Sequence, residues 1–570
     1  MKKALSLFLC TSLMLFCLTF KAQTLDVKWS DPMIKDKTGG TFNSYIDLNS
    51  KYIYTLFTGK SKLIKIVAYD KNTFKQMTDR VICDSKIANS KEFEDLRYYK
   101  TLVFENTLYV FWYKENKKVE ELYVQSFDSN LKPMNGLKKV YEVISEKGDD
   151  KKGETFVMGN KKAGEKVVIG AELSSDKGES VKIEYKVLDS KFNFLAAKQV
   201  TLPIVVNGKS NKLTSSYVLG DDGNLHIKSR VAMSKEERKN LKQGESSSYS
   251  IYSMINLSSG NIKSYTMKFD NKNIFDFDFL EDATTIKLFG FFCDLKKDKD
   301  GNDIHGVFYA IIDPKTYKLV GDFKFTYFTK TQIDDIFSKS YIGGKDRAGI
   351  FASKKDKKSE QESIASDYSI EQVQSIDKDN IVLFCSVMDN YSYQQCTTNS
   401  NGVTTCRTVY RCRKSNVTAI KIKKDGQIDW ASNIDRQEDH PGLNVKDLQV
   451  MNKDGKFYAI YSSRFEESKK DETGKTTKMK RKDLDSYSDE LEYAVFDYKT
   501  GKYEKKKYII NKPGVSKKEK KKLKATQVEV IDNNFYSYSI RSKAEVAPCF
   551  CFGVFYKKPP LYLAKFNVIK

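Results

Sequence analysis

The sequence is poor in the residues that many enzyme centres use. Its 570 residues include only three histidines, which fall at His226, His305 and His440 with no ligand spacing between them. This argues against a histidine-based catalytic triad and against a zinc hydrolase. No glycine-rich phosphate loop is present, which argues against phosphate binding of that kind. We therefore predict no catalytic residue, no cofactor and no metal site from the sequence.

Long hydrophobic runs are absent beyond the N-terminus. There, two lysines precede an apolar stretch over residues 4–20, and the small residue Ala22 follows. This pattern predicts a signal peptide over residues 1–22 that is removed from the mature chain. A membrane anchor and a lipoprotein modified at Cys17 are the alternatives. With the signal removed, no transmembrane segment is expected, and we predict an exported protein that is periplasmic or extracellular.

Cysteine is scarce for a chain of this length. Ten are present, and two of them, Cys10 and Cys17, lie in the predicted signal. An even remainder permits disulfides in an exported protein. The candidate disulfide residues are Cys385, Cys396, Cys406, Cys412, Cys549 and Cys551. The first four allow three pairings, and the sequence leaves all three open. Zinc is the alternative there, but the segment lacks a C-x-x-C pair and a histidine.

Acidic residues are fewer than basic residues in this chain. The sequence has 98 Lys and Arg against 75 Asp and Glu, a formal net charge of +23. Such a balance favours anionic partners, with a merely solubilising lysine surface as the alternative. The expected partner is an envelope or extracellular protein, or an anionic polysaccharide, and nucleic acid is not expected. The candidate polyanion contacts are Lys517, Lys518, Lys520, Lys521, Lys522 and Lys524.

What the sequence does contain is a repeat rich in Tyr and Phe. A turn of Asn, Asp or Gly followed by an apolar strand occurs eight times, as in "DGKFYAIYSS" from Asp454. It alternates with a strand, an Asp turn and a more polar strand, as in "VAYDKNTFKQM" over residues 67–77. Each unit predicts four antiparallel strands, and such units repeated around a ring form a β-propeller. We predict an all-β propeller of about eight blades, with seven as the alternative.

The last repeat unit lacks its fourth strand. Its final segment "LYLAKFNVIK" ends at Lys570, whereas "LDVKW" over residues 25–29 precedes the first unit. We predict that these two segments pair and close the ring, which removes an exposed sheet edge. Residues 23–570 are then a single propeller domain with two insertions. The one at about 329–367 predicts a short helix and a mobile loop, and the one at about 390–416 predicts a long hairpin extension.

The chain resembles the exported, propeller-like proteins of unknown function found in Bacteroidetes. The resemblance rests on the "KAQ" end of the signal, on the Tyr-, Phe- and Lys-rich units, and most on "NVTAIKIKKDGQIDWASNIDRQ" over residues 416–437. It implies a fold and a source and transfers no active-site residue. We expect a propeller-type binding or scaffolding protein of the cell envelope. The alternatives are a glycan-active enzyme that uses channel carboxylates and a polyanion-binding protein that uses its lysine-rich loops.

Overall fold

Strands dominate the structure and form eight consecutive antiparallel sheets. Seven sheets have four strands, and one has a fifth short strand. We number these sheets as blades 1 to 8 in chain order. The structure is a computed structural model, and the residues it describes are 24–30, 41–59, 62–115, 119–144, 155–173, 180–205, 214–282, 284–301, 303–336, 364–365, 368–398, 400, 402–462, 490–511, 528–540, 545–547, 555–557 and 561–569.

The first four blades are regular, with strands paired in chain order. Blade 1 contains Thr41–Leu48, Tyr52–Thr58, Ile64–Asp70 and Gln76–Cys83. Blade 2 contains Arg97–Val103, Thr107–Glu115, Val119–Asp128 and Pro133–Ile144. Blade 3 contains Thr155–Asn160, Lys166–Leu173, Ser180–Leu188 and Phe194–Val205. Blade 4 contains Thr214–Leu219, Leu225–Ala232, Ser248–Ile255 and Ile262–Met267.

The remaining blades carry the additions. Blade 5 contains Lys272–Glu281, Ile286–Asp294, Gly306–Asp313, Lys318–Leu319 and a further strand, Lys324–Tyr327. Blade 6 contains Tyr368–Ser375, Ile381–Thr398, Thr404–Ile422 and Ile428–Pro441. Blade 7 contains Leu448–Lys453, Lys456–Tyr461, Glu490–Asp497 and Tyr503–Ile509. Blade 8 contains Glu529–Ile531, Asn534–Ile540, Leu561–Ile569 and the N-terminal strand Thr24–Trp29. Two short two-stranded sheets pair Asp303–Ile304 with Ile364–Ala365 and Glu545–Ala547 with Phe555–Lys557.

Burial changes regularly from the inner to the outer strand of a blade. The second strand Ile286–Asp294 is buried at every position. The third strand Val119–Asp128 largely alternates between buried and half-buried residues. The outer strand Tyr503–Ile509 is mostly exposed. A blade has a neighbour on each face, so its inner strands are apolar on both faces, whereas the outer strand faces water at its edge.

The hydrophobic core lies between the blades and runs around a closed ring. Buried residues form eight clusters, and each cluster joins two neighbouring blades. The one that closes the circle packs Tyr45 and Phe57 of blade 1 against Tyr536 and Leu563 of blade 8. The first strands of blades 8 and 1 also contact each other. The protein is therefore an eight-bladed β-propeller, which confirms the predicted fold class.

The N-terminal strand completes blade 8, as predicted. Thr24–Trp29 pairs antiparallel with Leu561–Ile569, with Leu25 opposite Val568. Leu25 and Val27 are buried against blades 7 and 8. Full burial of each such side chain contributes about 1.5–3 kcal/mol. The strand thus covers apolar surface as well as the edge of Leu561–Ile569.

The described helices are short and lie in the connections between strands. They are α1 (Ser85–Ala88), α2 (Lys235–Lys239) and α3 (Lys330–Ile336). Helix α3 is the helix predicted for the first insertion, and it buries Ile333 and Ile336. The loop predicted after it falls within 337–363, which lies outside the described residues. None of the helices in the described part of the chain is long and apolar enough to cross a membrane.

Candidate functional site

The propeller has two faces with different kinds of connection. Turns between the first and second strands and between the third and fourth strands lie on one face, which we call the turn face. Connections between the second and third strands and between successive blades lie on the other, the loop face, because each antiparallel strand reverses the chain. All three described helices, both short two-stranded sheets and the long hairpin of blade 6 belong to loop-face connections.

The turn face is built from short turns that bond to the next blade. Side chains of Asp and Asn accept hydrogen bonds from backbone N–H groups two or three residues on, as Asp497 does from Lys499 and Thr500. Neighbouring turns are then linked around the ring. Glu105 of blade 2 accepts from the N–H of Ser50 in blade 1 at 3.1 Å. The repeated turn residues therefore stabilise the turns of this face.

The most polar of these links joins blades 4 and 5. Glu281 accepts hydrogen bonds from the backbone N–H groups of Asp221 and Asp222. The buried His226 lies with Nε2 3.1 Å from Asp222 Oδ1, and its Nδ1 lies 2.6 Å from the hydroxyl of Tyr252. Burial and the charge of Asp222 raise the pKa of Glu281 to about 7, although His226 opposes the shift. No pattern in the sequence predicts that these groups meet.

Asp222, His226 and Glu281 carry donor atoms that suit a metal ion, but Gly220 crowds one side of the cluster. The three ligand atoms lie within 4.8 Å of one another. A Cβ placed on Gly220 would lie 2.2 Å from Glu281 Oε2, 2.4 Å from His226 Nε2 and 2.6 Å from Asp222 Oδ1. Those are metal–ligand distances, so an ion on this side of the cluster would lie one bond from the Cα of Gly220. In this structure the cluster links the turn of blade 4 to blade 5.

The hypothesis of a glycan-active enzyme requires channel carboxylates, and the first strand of blade 5 carries several carboxylates. Asp276 accepts a hydrogen bond at 3.0 Å from the N–H of Ile370 in blade 6. Asp278 lies 3.6 Å from Lys228 Nζ of blade 4, and burial raises the pKa of Asp278 despite this lysine. With Glu281 bound to the turn of blade 4, these groups connect blade 5 to its neighbours on both sides.

The largest described feature of the loop face is the hairpin extension of blade 6, which the sequence predicted. The first strand of the blade pairs with the second only as far as Val387. Beyond it, the second and third strands stay paired from Asp389–Arg413 to Thr398–Thr404. They form a two-stranded ribbon beyond Arg411, where the pairing of the fourth strand ends. We call residues 389–413 the arm. Cys396 and Cys406 form a disulfide within it.

The arm exposes tyrosine and arginine side chains. Tyr391 and Tyr393 stack with ring centroids 6.5 Å apart, and the guanidinium of Arg413 lies 4.8 Å from the centroid of Tyr391. Farther out, Arg407 donates two hydrogen bonds to Gln395 Oε1, at 3.1 and 2.9 Å. Odd-numbered residues of each strand lie on one side of the ribbon, because side chains alternate along a strand. That side therefore carries Tyr391 and Tyr393 together with the arginines Arg407, Arg411 and Arg413.

At its base the arm is held by a buried cluster of ionisable side chains, which we call the base cluster. It comprises Glu371, Lys414, Arg436, His440 and Asp447. Arg436 donates to Asp447 Oδ2 at 2.8 Å and to Glu371 Oε1 at 3.1 Å. Lys414 donates to Glu371 Oε2 at 2.5 Å and lies 3.2 Å from Asp447 Oδ1. His440 Nε2 lies 2.8 Å from Asp447 Oδ2.

The base cluster exists because the sheet bulges where the arm begins. Pairing shifts by one residue at Glu371 in the first strand, at Ser386 in the second and at Asn416 in the third. Bulges redirect side chains, and here the hydroxyl of Ser386 donates to Glu371 while the carbonyl of Asn416 accepts from Arg436 Nε. The strands of blade 6 thus all contribute polar groups to the base cluster.

Cation contacts keep Asp447 of the base cluster charged. Burial alone would raise the pKa of Asp447, but Arg436, the hydrogen bond with His440 and Lys414 hold it well below its usual range. Asp447 follows the fourth strand, in the connection to blade 7. The cluster therefore ties the base of the arm to the chain that enters the next blade.

The structure assigns the cysteines of this region. Cys396 and Cys406 are bonded across the ribbon, whereas Cys385 and Cys412 are buried free thiols and correct the expectation that they join disulfides. The reason is register: Cys385 pairs with Thr418 and Cys412 with Asn390, so the two thiols lie at different levels of the sheet.

The other candidate residues lie outside the described part of the chain. They are Cys549, Cys551, Lys517, Lys518, Lys520, Lys521, Lys522 and Lys524. The base cluster was not predicted from the sequence. The available signal was the polar pair Lys414 and Asn416, which comes directly before the largely apolar residues 417–420, together with the charged residues Arg436 and Glu438.

No protein-family model matches the sequence, and no curated protein matches it. Several solved structures are similar in shape. A polysaccharide lyase described as a PL25 ulvan lyase shares 8% identity over 77% of this chain and 93% of its own, with a TM-score of 0.34. The WD40 domain of SCAP from fission yeast shares 8% identity over 95% of this chain and 98% of its own, with a TM-score of 0.34.

A third similar structure is the β-propeller domain of the Trilobed protease from Pyrococcus furiosus. It shares 10% identity over 83% of this chain and 100% of its own, with a TM-score of 0.32. TM-scores this low support no inference about function. The assignment of a propeller rests on the blades, their cores and the closing strand described above.

Proposed function

We propose that this chain is an exported binding or scaffolding protein of the cell envelope that engages a protein partner through the arm of blade 6. The observation that carries the proposal is the arm. It extends beyond the first strand of its blade, bears exposed aromatic and cationic side chains, and is fixed at both ends. The disulfide Cys396–Cys406 lies near the tip, and the base cluster lies at the bottom.

The chemistry of the arm suits protein recognition. Tyrosine and arginine are among the residues that contribute most to binding at protein interfaces. Tyr393 and Tyr410 are 46% and 53% exposed, which is a large exposure for aromatic side chains. A rigid ribbon loses little conformational entropy on binding, so less of the contact free energy is spent on ordering. The disulfide and the base cluster both contribute to that rigidity.

Export is supported by two independent features. Residues 1–22 have the pattern of a signal peptide. The exposed disulfide of the arm is of the kind that persists in oxidising compartments and is rare in the cytosol. Both agree with a protein that works in the periplasm or outside the cell.

The test is a capture experiment with tagged residues 23–570 and an envelope extract, washed at low and at high salt. The variant is Tyr391→Ser with Tyr393→Ser. The matched control is Phe194→Ser with Leu195→Ser, which removes a pair of exposed apolar side chains from the outer strand of blade 3. We expect a protein partner that survives high salt with the wild type and the control and is lost with the arm variant.

Three other outcomes would contradict this proposal. Capture of polyanions alone, lost at high salt, would favour the lysine-rich loops, because contacts with polyanions weaken steeply with salt. That alternative is checked by replacing Lys517, Lys518, Lys520, Lys521, Lys522 and Lys524 with Gln. Release of glycan fragments by the wild type, abolished by neutralising a channel carboxylate without loss of fold, would favour an enzyme. A partner retained equally by the arm variant would remove the arm from the function.

A further inference from the structure

One edge of the arm is open. The fourth strand of blade 6, Ile428–Pro441, pairs with the third strand only as far as the pair Pro441–Arg411. Gly442 then donates its N–H to the carbonyl of Tyr410 at 2.9 Å. Its φ of 93° lies in the left-handed region that favours glycine, and the chain leaves the edge there. In the part of the chain that the structure describes, no strand pairs with the outer edge of residues 404–409.

The register shows which groups this edge presents. Because the carbonyl of Tyr410 points toward the fourth strand, the peptide groups of every second residue do the same. These residues are Thr408, Cys406 and Thr404. The Cα atoms of Cys396 and Cys406 are 4.0 Å apart, the close spacing of a pair that does not exchange hydrogen bonds across the ribbon. Backbone donors and acceptors therefore face outward along an exposed strand.

The open edge also has room beside it. A shallow, open depression of about 370 Å³ is lined by Arg407, Thr408, Val409, Tyr410 and Gly442. It lies where the fourth strand would run if that strand continued beyond Pro441. Residues 404–410 of the third strand are rich in Thr, Val and Tyr, which favour pairing, and contain no lysine or proline. The outer strand of blade 7, in contrast, carries Lys505, Lys506 and Lys507, as protected edges do.

We propose that this edge receives an extended, acidic segment of a partner protein, which adds to blade 6 as a further strand in line with Ile428–Pro441. The proposal rests on the arm being the interaction site. Charge favours an acidic segment: the arm has three arginines and one aspartate, and Arg407 and Arg411 lie on the same side of the ribbon. Charge disfavours a second copy of this chain, whose formal net charge is +23. Main-chain hydrogen bonds would supply affinity and the arginines would select acidic residues.

The experiment uses residues 23–570 and a peptide of about eight residues, long enough for one strand, in which Val and Glu alternate. The same peptide with Lys in place of Glu is the charge control. The decisive variant is Thr408→Pro, which removes an outward N–H and leaves the hydrogen bonds of the ribbon in place. Its matched control is Thr408→Val. Both lose the contact of Gln394 with the Thr408 hydroxyl, but only proline loses the N–H.

We expect the Glu peptide to bind the wild type and Thr408→Val alike, and Thr408→Pro about tenfold more weakly, which is the cost of one backbone bond and the added ring. The Lys peptide should not bind. Hydrogen exchange of the Cys406 and Thr408 amides should slow when the Glu peptide is added. Unchanged circular dichroism and an intact disulfide would verify that the variants fold.

Several results would overturn the proposal. They are no binding of the Glu peptide, equal binding to both variants, or binding without protection of these amides. Self-association of the wild type that Thr408→Pro abolishes, measured by sedimentation, would assign the edge to a second copy. If Tyr391→Ser with Tyr393→Ser abolishes partner capture while Thr408→Pro leaves it intact, strand addition fails and the arm remains the binding site.

Discussion

The base cluster allows a quantitative prediction, because a buried charge that loses its partner strongly destabilises the folded state. Consider Arg436→Met, a change that keeps the length of the side chain and removes its charge. The guanidinium is fully buried and bonds Glu371, Asp447 and the carbonyl of Asn416. Removing one partner of a buried ion pair typically costs about 3–5 kcal/mol, because the remaining charges stay desolvated. Lys414 still contacts both carboxylates, so we expect a loss at the lower end, about 3 kcal/mol.

The loss should depend on pH with a definite sign. Burial raises the pKa of Glu371, and Arg436 opposes this shift. Without the arginine the folded-state pKa rises further above the unfolded value. A carboxyl with a raised folded-state pKa stabilises the fold when protonated, and that stability declines as pH rises from the unfolded value toward the folded one. The destabilisation by Arg436→Met should therefore be smaller near pH 5 than near pH 8.

The assay is urea unfolding followed by tryptophan fluorescence, since Trp430 reports on the fourth strand of blade 6. Because a large chain need not unfold in one step, hydrogen exchange of the arm amides is measured alongside it. Arg413→Met is the matched control. That arginine is only half-buried and lies over Tyr391, so its loss should cost about 1 kcal/mol or less. A loss below about 1 kcal/mol for Arg436→Met, with unchanged arm exchange, would refute the anchoring role.

Three further predictions follow from the turn face and the disulfide. Gly220→Ala should lower the melting temperature, because the new Cβ would lie 2.2 Å from Glu281 Oε2; overpacking of this kind costs about 1–3 kcal/mol. Glu281→Gln should remove a decline in unfolding free energy that the wild type shows between roughly pH 4.5 and its folded-state pKa of about 7. Reduction of Cys396–Cys406, whose cysteines are 10 residues apart, should speed amide exchange at the tip of the arm and leave the main urea transition unchanged.

Much of the fold was predictable because its determinants are local. The turn residue Asp70 bonds the N–H groups of Asn72 and Thr73, and similar turns recur around the ring. Each such turn fixes a hairpin, and alternating burial fixes which side of a strand faces a neighbour. The closing contact was also predictable, because a unit that lacks a fourth strand leaves an edge that the N-terminal segment can cover.

The base cluster was not predictable, because it depends on alignment between strands. Glu371 and Asp447 are far apart in sequence and meet only because three strands bulge at the same level. The disulfide was undetermined for the same reason. Several pairings of Cys385, Cys396, Cys406 and Cys412 suit the spacing, and the register of the arm selects one. His226 likewise meets Glu281 only through the packing of blade 5 on blade 4.

The distribution of insertions follows from the way the two faces are built. On the turn face, a side chain such as Glu105 or Glu281 bonds the backbone of the preceding blade, so a longer turn would break a link in the ring. On the loop face, the described connections include helices and the arm, and lengthening them leaves the blade cores intact. New binding surface can therefore accumulate on the loop face without loss of the ring. The arm fits this account, since its base is secured by charges inside blade 6 while its tyrosines and its open edge face outward.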